Sequence, residues 1–396
     1  MGTMQRLFQL MADKKASDMF MAVGSPINIK IEGALVPVNQ QVMDGPTIRT
    51  LLEEIIKPEE FATLEETREL NTAVGSTGIG RFRISVFYQR GAISAVIRFI
   101  QSEIPAIETL ALPPTLPSVI MEQRGLLLVV GATGSGKSTT IASLLDYRNR
   151  TSSGHILTLE DPVEFVFKNK KCIVNQREIG TDAKSFEIAL KNALRQAPDV
   201  IFIGEIRDKD TMGQAIAYAQ SGHLCVATLH ANNSYQALSR IIGFYPLEAR
   251  PSLLADLSVT LRCIVSQRLV KKPDGLRTPA AEVMLNTTHI AELMEKGDID
   301  GIREAMQKSL SPGSQTFEQA LYELYANGTI ALNEALAAAD SANNLQWLIN
   351  NTEINKSSTS APDAGKSDIA QAATDATAQS QTSQGLSFRD FALKSE

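Results

Sequence analysis

The sequence predicts an α/β protein in which a small N-terminal α/β domain precedes a larger C-terminal domain built on a parallel sheet. Strands with one apolar face occur in the N-terminal part of the chain, and near-continuous apolar runs alternate with helical segments further on. Strands that are apolar on both faces are typical of a parallel sheet covered by its crossover helices. These runs occupy residues 126–130, 156–160, 200–204, 224–229 and 264–269.

The N-terminal elements are predicted in order along the chain. Residues 5–15 have apolar side chains at helical spacing, and residues 46–56 form a second helix candidate. Between them, residues 28–38 predict a hairpin that turns at Glu32 and Gly33. The alternation of strands and helices within so short a segment predicts a mixed α/β domain.

A second hairpin carries three arginines. Residues 81–88 alternate with apolar side chains on one face, and a turn leads into a second strand at 93–99. Arg81, Arg83 and Arg98 are predicted on the outward faces. Two interpretations remain open: the arginines are simply solvated, or, if the protein forms a ring, they reach the phosphates bound by a neighbouring subunit.

Composition defines the predicted domain boundaries. Prolines are concentrated between residues 104 and 118, at Pro105, Pro113, Pro114 and Pro117, which predicts a linker between an N-terminal domain at 1–103 and a C-terminal domain at 119–350. Helical segments continue to the end of that second domain. Residues 351–396 are rich in Ser, Thr, Ala and Gln, so this tail is predicted to be disordered because it cannot bury enough apolar surface.

A phosphate-binding loop follows the apolar run at 126–130. The loop reads GATGSGKST, that is Gly131, Ala132, Thr133, Gly134, Ser135, Gly136, Lys137, Ser138 and Thr139. Such glycines let backbone N–H groups surround the phosphates, the lysine adds a positive charge, and the serine hydroxyl can bind Mg²⁺. A helix is predicted immediately after the loop, with its positive end toward the anion. The sequence therefore predicts a site for a nucleoside triphosphate.

Acidic side chains follow two further predicted strands. Glu160, Asp161 and Glu164 come at the end of one strand, and Glu205 comes at the end of another. Ligands of open α/β sheets bind at the carboxyl ends of the strands. Hydrolysis, unlike binding alone, needs carboxylates that hold the water of a bound Mg²⁺ ion and orient the attacking water. The pattern thus favours an enzyme that hydrolyses the nucleotide.

Two histidines flank the strand at 224–229. His230 follows its carboxyl end, where it is placed to sense the γ-phosphate, whereas His223 precedes the strand and faces the opposite side. The two imidazoles are too far apart to bind one metal ion together. A purely structural histidine with satisfied hydrogen bonds is the alternative interpretation of each.

Composition excludes several classes of protein. No apolar run is long enough to span a membrane and no signal sequence begins the chain, so we expect a cytoplasmic protein. The three cysteines are far apart and form no Cys-x-x-Cys pair, which argues against zinc and against a disulfide framework. A net charge of −6 disfavours nucleic acid as a partner.

Residues 194–208, LRQAPDVIFIGEIRD, resemble the signature of the secretion ATPase superfamily that powers type II secretion and type IV pili. The segment EDPVE at 160–164 is similar to its aspartate box, Glu205 to its Walker B glutamate, and residues 222–230 to its histidine box. The resemblance implies a PAS-like N-terminal domain and a RecA-like ATPase domain with a helical C-terminal extension. It also implies that ATP is hydrolysed with Mg²⁺.

Within the superfamily the chain resembles the PilT/PilU retraction branch. Residues 288–296 lack both arginines of the helix that PilT proteins carry there, and this departure resembles the PilU group. The resemblance implies that Glu164 is the catalytic base, that Glu205 acts through Mg²⁺, and that arginines such as Arg81 and Arg98 reach the nucleotide. It also implies a homo-hexameric ring at the cytoplasmic base of the pilus machine. Its partners would be a PilT-type ATPase and the inner-membrane platform protein.

Two other functions remain open at this stage. The chain could be an assembly or secretion ATPase, although it lacks the longer N-terminal region and the inserted Cys-x-x-Cys pair that many such proteins carry. It could also be a nucleotide-gated adaptor subunit that supports a partner motor without its own turnover.

Overall fold

The computed structural model describes residues 2–359 except residues 32, 101, 102, 309 and 310. The described residues up to Asn350 form one compact unit. The last helix continues to Thr359, and the rest of the predicted tail lies outside the described residues. Among the described helices none is long and apolar enough to cross a membrane.

The N-terminal domain is a six-stranded antiparallel sheet with helices against it, in strand order β3-β2-β1-β6-β5-β4. Both predicted hairpins are present, whereas β1, α3 and β4 were not predicted. The elements are α1 (Thr3–Asp13), β1 (Asp18–Met21), β2 (Pro26–Ile31), β3 (Ala34–Val42), α2 (Gly45–Glu53), α3 (Pro58–Thr67), β4 (Glu69–Ser76), β5 (Gly80–Gln89) and β6 (Ala92–Ile100).

This domain has a hydrophobic core of its own. Helix α1 buries Met4, Phe8 and Met11, and the Phe8 ring stacks on Phe82 of β5 at 3.8 Å between centroids. Alternate residues of β5 point into the same core, as its sequence pattern predicted. Burial of one face of the sheet fixes the register of β5 and leaves its arginines on the other face.

The proline-containing segment packs closely on the C-terminal domain. It contains a short 3₁₀ helix, Ile107–Thr109, and helix α4 (Leu116–Ile120). Ile107 and Leu116 are buried in the same cluster as the apolar residues of the large sheet, and Ser143 Oγ donates a 2.8 Å hydrogen bond to the Pro105 carbonyl. This segment therefore covers part of one face of the sheet.

The C-terminal domain contains a seven-stranded sheet in the order β13-β12-β7-β11-β10-β8-β9. Its pairs are parallel except β12 with β13, which is antiparallel. The five predicted strands are thus parallel to one another, as expected, whereas β9 and the antiparallel edge strand β13 were not predicted. The strands are β7 (Gly125–Val130), β8 (Gly154–Glu160), β9 (Cys172–Glu178), β10 (Val200–Ile203), β11 (Leu224–Leu229), β12 (Leu261–Lys271) and β13 (Arg277–Leu285).

Helices cover both faces of this sheet, and two hydrophobic clusters lie against it. The helices are α5 (Lys137–Thr151), α6 (Phe186–Ala193), α7 (Lys209–Gln220), α8 (Ser234–Gly243), α9 (Arg250–Thr260), α10 (Thr288–Glu295) and α11 (Ile299–Gln307). Because β7, β8, β10 and β11 are parallel neighbours, their carboxyl ends meet at one edge. That edge carries the predicted nucleotide site.

A helical extension follows α11, with α12 (Phe317–Ala326), α13 (Leu332–Ala338) and α14 (Ala342–Thr359). It shares a cluster with β12 and β13. Arg268 of β12 forms an ion pair with Asp340 of the extension. The Asp340 carboxylate also accepts hydrogen bonds from Asn233 Nδ2 at 2.8 Å and Tyr235 OH at 2.9 Å. The extension is thereby fastened to the segment that follows β11.

Candidate functional site

The phosphate loop joins β7 to α5. β7 is completely buried, and α5 begins at Lys137, so the loop lies between the carboxyl end of a strand and the amino end of a helix. A helix amino end presents backbone N–H groups and a positive partial charge, which favour an anion. Gly134 and Gly136 have φ of 76° and 91°, conformations that residues with a Cβ rarely adopt.

Strand β12 braces the loop from outside. A Cβ at Gly136 would lie 2.6 Å from Nε2 of Gln267. The Oε1 atom of Gln267 accepts a 2.7 Å hydrogen bond from Thr140 Oγ1, and both side chains are buried. The start of α5 is therefore held by a contact that spans the domain, as well as by the glycines of the loop itself.

Two polar groups of the loop fit an anionic ligand. Lys137 Nζ donates to the carbonyl oxygens of Gly131 at 2.8 Å and Ala132 at 2.9 Å. Burial lowers the pKa of Lys137, and the nearby carboxylates of Glu205 and Glu164 act in the opposite direction. Ser135 Oγ is buried and has no hydrogen-bond partner among the described residues. A buried hydroxyl of this kind implies a ligand or water that would satisfy it.

The acids that follow β8 have contrasting environments. Glu160 is buried, and it accepts hydrogen bonds from Thr158 Oγ1 at 2.6 Å and Gln176 Nε2 at 3.2 Å. Burial raises the pKa of Glu160 to about 7, although both hydrogen bonds oppose this shift. Glu164, in contrast, is exposed and lines the cleft. Of the two, Glu164 is the carboxylate that solvent can reach.

Glu205 follows β10 and is held by two neighbours. Its Oε2 accepts a 2.8 Å hydrogen bond from Arg207 Nε, and its Oε1 lies 3.3 Å from His230 Nε2, just past the end of β11. The hydrogen bond to Glu205 raises the pKa of Arg207. Gly204 lets the chain approach the end of β8 closely, because an added Cβ would lie 3.1 Å from the carbonyl oxygen of Leu159.

One cleft of about 210 Å³ brings these segments together. Its polar lining comes from the phosphate loop, from the segment after β8 and from the ends of β10 and β11. The polar and charged residues that line it are Thr133, Lys137, Ser138, Glu160, Asp161, Glu164, Glu205, Arg207, Thr228 and His230. The structure thus gathers at one edge the motifs that the sequence predicted there, and the chemical role of each residue stays a prediction.

Sequence reasoning missed several parts of this site. The contact of Arg207 with Glu205 was not predicted, although Arg207 lies in the signature segment. Its position two residues after Glu205 was the only feature that indicated this contact. The aromatic wall of the cleft gave no signal because it combines the segment between β8 and β9 with α6 and β10. Its members are Phe165, Phe167, Phe186 and Phe202. Gln267 lies 127 residues from its partner Thr140, so local sequence could not predict that contact.

The predicted arginines do not belong to the cleft lining of the described chain. Arg98 Nε donates a 2.8 Å hydrogen bond to Asp18 Oδ1 within the N-terminal domain. Arg81 Nη2 donates a 2.9 Å hydrogen bond to Glu178 at the end of β9. Each guanidinium is therefore bonded to a carboxylate of its own chain. Contact with a nucleotide, in this subunit or a neighbouring one, stays a prediction.

His223 lies at the other end of β11 from the cleft. Its Nδ1 is 3.0 Å from Ser221 Oγ. This arrangement agrees with the expectation that the two histidines do not bind one ligand together. His230 alone contributes to the cleft.

A phosphate loop on a mostly parallel sheet, with carboxylates at the adjacent strand ends, defines the class of P-loop nucleotide-binding proteins. The chain matches the model of the family described as Type II/IV secretion system protein over residues 4–383. It therefore belongs to the type II/IV secretion system protein family, and the predicted family is confirmed.

The curated relatives include both members of the retraction branch. The chain is 46% identical over 346 residues to the type IV pilus ATPase PilU of Pseudomonas aeruginosa. This match covers 87% of this chain and 91% of PilU. It is 37% identical over 329 residues to the PilT protein of the same organism, named as a type IV pilus retraction ATPase, with 83% and 96% coverage. The expected similarity to the PilT/PilU branch is confirmed.

Solved structures support the same fold. A crystal structure of the pilus retraction motor PilT with bound ADP matches with a TM-score of 0.80 and 40% identity, over 85% of this chain and 97% of that chain. The ATPase DotB of Legionella pneumophila matches with a TM-score of 0.71 and 27% identity, over 84% and 94%. The predicted fold class, two α/β domains of which the second is RecA-like, is confirmed.

Proposed function

We propose that the chain is an ATPase that converts ATP hydrolysis into mechanical work and drives or assists type IV pilus retraction, and hence twitching motility. The observation that carries this proposal is the cleft that joins Lys137 and Ser138 to Glu164 and Glu205 in a chain similar over most of its length to PilU and PilT. The ADP in the similar PilT structure supports an adenine nucleotide as substrate.

The residues of the cleft suit MgATP. Lys137 and the loop amides would bind the β- and γ-phosphates. Oxygen donors are the ligands that Mg²⁺ prefers, and the Ser138 hydroxyl would bind the ion directly while Glu205 acts through a bound water. When bound, Mg²⁺ would neutralise charge on the phosphates.

Glu164 would hold and deprotonate the attacking water, because it is exposed to the cleft while Glu205 is engaged by Arg207 and His230. His230 lies where it could sense the γ-phosphate through Glu205. The buried Glu160 is less suited to act on water, since it is only 7% exposed and its Oε1 atom already accepts hydrogen bonds from Thr158 and Gln176.

Assembly and partners follow from the proposed function. We expect a homo-hexameric ring that works with a PilT-type ATPase, located on the cytoplasmic side of the inner membrane beside the platform protein of the pilus machine. A net charge of −6 supports the expectation that no nucleic acid is involved. Helix α10 lacks the two arginines of the PilT helix, which favours an accessory role over autonomous retraction.

A deletion strain tests the biological function. Loss of a retraction motor should leave cells piliated but reduce twitching, and the wild-type gene should restore it. Cells without pili would instead identify an assembly or secretion ATPase, and the proposal of retraction would then be wrong.

The Lys137→Ala protein tests whether this chain must turn over ATP. We expect it to fail to restore twitching, because the phosphate site would lose its positive charge. Full complementation by Lys137→Ala would identify an adaptor that supports its partner without hydrolysis. A parallel assay of ATPase rate against protein concentration, with and without the PilT-type protein, should show activity that rises with assembly.

A further inference from the structure

A buried carboxylate connects the N-terminal domain to the segment that carries Glu164. Glu178, the last residue of β9, is 5% exposed. Its Oε2 atom accepts two hydrogen bonds, one of 2.9 Å from Arg81 Nη2 and one of 3.1 Å from the backbone N–H of Val163. Its Oε1 atom accepts a longer bond of 3.3 Å from Thr181 Oγ1.

This network fixes the position of the backbone next to Glu164. Val163 is 2% exposed, and its side chain and N–H group therefore anchor the segment while the following residue points into the cleft. Glu178 lies beside the same segment because it pairs with Glu160 in the parallel register of β8 and β9. The carboxylate thus joins two neighbouring strand ends.

Arg81 supplies the charge that lets this carboxylate remain buried. A buried carboxylate is costly unless it is paired and hydrogen-bonded. The Arg81 side chain is itself only 26% exposed, and it comes from a different domain. Loss of Arg81 would leave Glu178 with one backbone and one hydroxyl donor. The carboxylate would then be drawn toward water, and Val163 would lose its hydrogen bond.

We propose that Glu178 is a positioning residue for Glu164 and that Arg81 affects hydrolysis through Glu178 rather than through the nucleotide. The orientation of the N-terminal domain thereby affects the position of Glu164, the residue that prepares the attacking water. This inference rests on the proposed function, because it takes Glu164 as the base.

A double-mutant cycle tests the proposal on the full-length protein. The variants are Arg81→Gln, Glu178→Gln and the double variant. Arg49→Gln is the matched control, because it removes two arginine ion pairs that lie within the N-terminal domain only. Each single variant should lower kcat about 10- to 100-fold, the scale of a misplaced catalytic group, with little change in KM. The double variant should be no slower than the slower single variant.

Additive effects in the cycle would overturn the proposal, since independent residues multiply their rate factors. A rise in KM with kcat unchanged in Arg81→Gln would also overturn it and would indicate direct contact with the nucleotide. Arg81→Lys should restore part of the activity, because the ammonium keeps the charge while losing the planar fork.

Hydrogen exchange provides a readout that does not depend on activity. The Val163 amide should exchange faster in Arg81→Gln than in the wild-type protein and should stay unchanged in Arg49→Gln. Unchanged exchange in Arg81→Gln would contradict the proposal even if Glu178→Gln does not fold. Should the wild-type protein fail to hydrolyse ATP, the proposed function fails, whereas the exchange experiment still tests the contact.

Discussion

At the scale of single residues, three carboxylates near one cleft have three different environments. Glu164 is exposed to the cleft, Glu205 is held by Arg207 and His230, and Glu160 is buried among neutral donors. Environment rather than residue type therefore separates their expected roles.

Glu164→Gln should reduce ATP turnover by about 10²- to 10⁴-fold, the usual contribution of a general base, while leaving nucleotide affinity nearly unchanged. Glu205→Gln should also reduce turnover, and it should in addition weaken the dependence of the rate on Mg²⁺ concentration. Steady-state ATPase assays and fluorescent-nucleotide titrations measure both effects. Preserved hydrolysis in Glu164→Gln would assign the base to Glu205 instead.

Glu160 should make the stability of the protein depend on pH. Its pKa of about 7 in the folded chain lies above the ordinary value of 4.5, so the folded state binds the proton more tightly than the unfolded state. Protonated Glu160 therefore adds to the free energy of unfolding fully below pH 4.5, and this stabilisation is lost as pH rises to 7. Its magnitude is on the order of 3 kcal/mol.

Glu160→Gln should remove this dependence, because the amide oxygen can still accept both hydrogen bonds and no charge develops. Relative to wild type, the variant should therefore gain stability between pH 5 and pH 8. Thermal unfolding across that range provides the measurement. Parallel curves for the two proteins would mean that Glu160 titrates normally. Comparison within the pair cancels the effect of Glu282, whose pKa is also raised by burial.

At the scale of secondary-structure elements, two separate features require glycine where the phosphate loop joins α5: the backbone conformation and the contact with β12. Gly136 has a positive φ, and Gln267 leaves no room for a Cβ at this position. Gly134 also has a positive φ, but nothing lies within 4 Å of an added Cβ there. The two glycines therefore separate backbone strain from steric contact.

Gly134→Ala should cost about 1 to 2 kcal/mol from the left-handed conformation alone. Gly136→Ala should cost about 1 kcal/mol more, because displacement of Gln267 breaks its buried hydrogen bond with Thr140. Thermal unfolding without nucleotide compares the two variants. Equal losses of stability would show that Gln267 does not brace the helix.

The predictable elements are those whose signal lies within a few residues. The phosphate loop, the apolar strands and the arginine hairpin each have a local pattern, and each is present. Strand β9 contains Asn175, Gln176 and Arg177 and lies at the sheet edge, so it lacks the continuous apolar run of a central strand. Strand β13 is interrupted by Pro279, which argues against a strand in a sequence pattern. Contacts such as Glu178 with Val163 depend on tertiary folding.

At the scale of the whole molecule, the hydrophobic clusters found among the described residues lie within the compact unit that ends at Asn350. The cluster nearest to the C-terminus ends at Ile349. Residues 360–396 are rich in polar and small side chains, which contribute little to a core.

Truncation after Thr359 should therefore leave the unfolding temperature within about 1 °C of wild type, as expected for removal of residues outside the core. The basal ATPase rate should also be unchanged. Differential scanning fluorimetry and a steady-state assay provide the measurements. A large drop in either would show that the tail packs on the rest of the chain. A loss of twitching with normal enzymology would assign the tail a role in partner binding.

Two neighbouring residues of β12 contact different parts of the domain. Gln267 accepts a hydrogen bond from Thr140 in α5, and Arg268 forms an ion pair with Asp340 in the C-terminal extension. Hybrid proteins made from two paralogues must respect this arrangement. A junction placed between Arg268 and Asp340 would mix partners that did not evolve together and would leave a partly buried charge pair mismatched. Functional hybrids should be joined before residue 137 or after residue 341, so that α5, β12 and the extension come from the same parent.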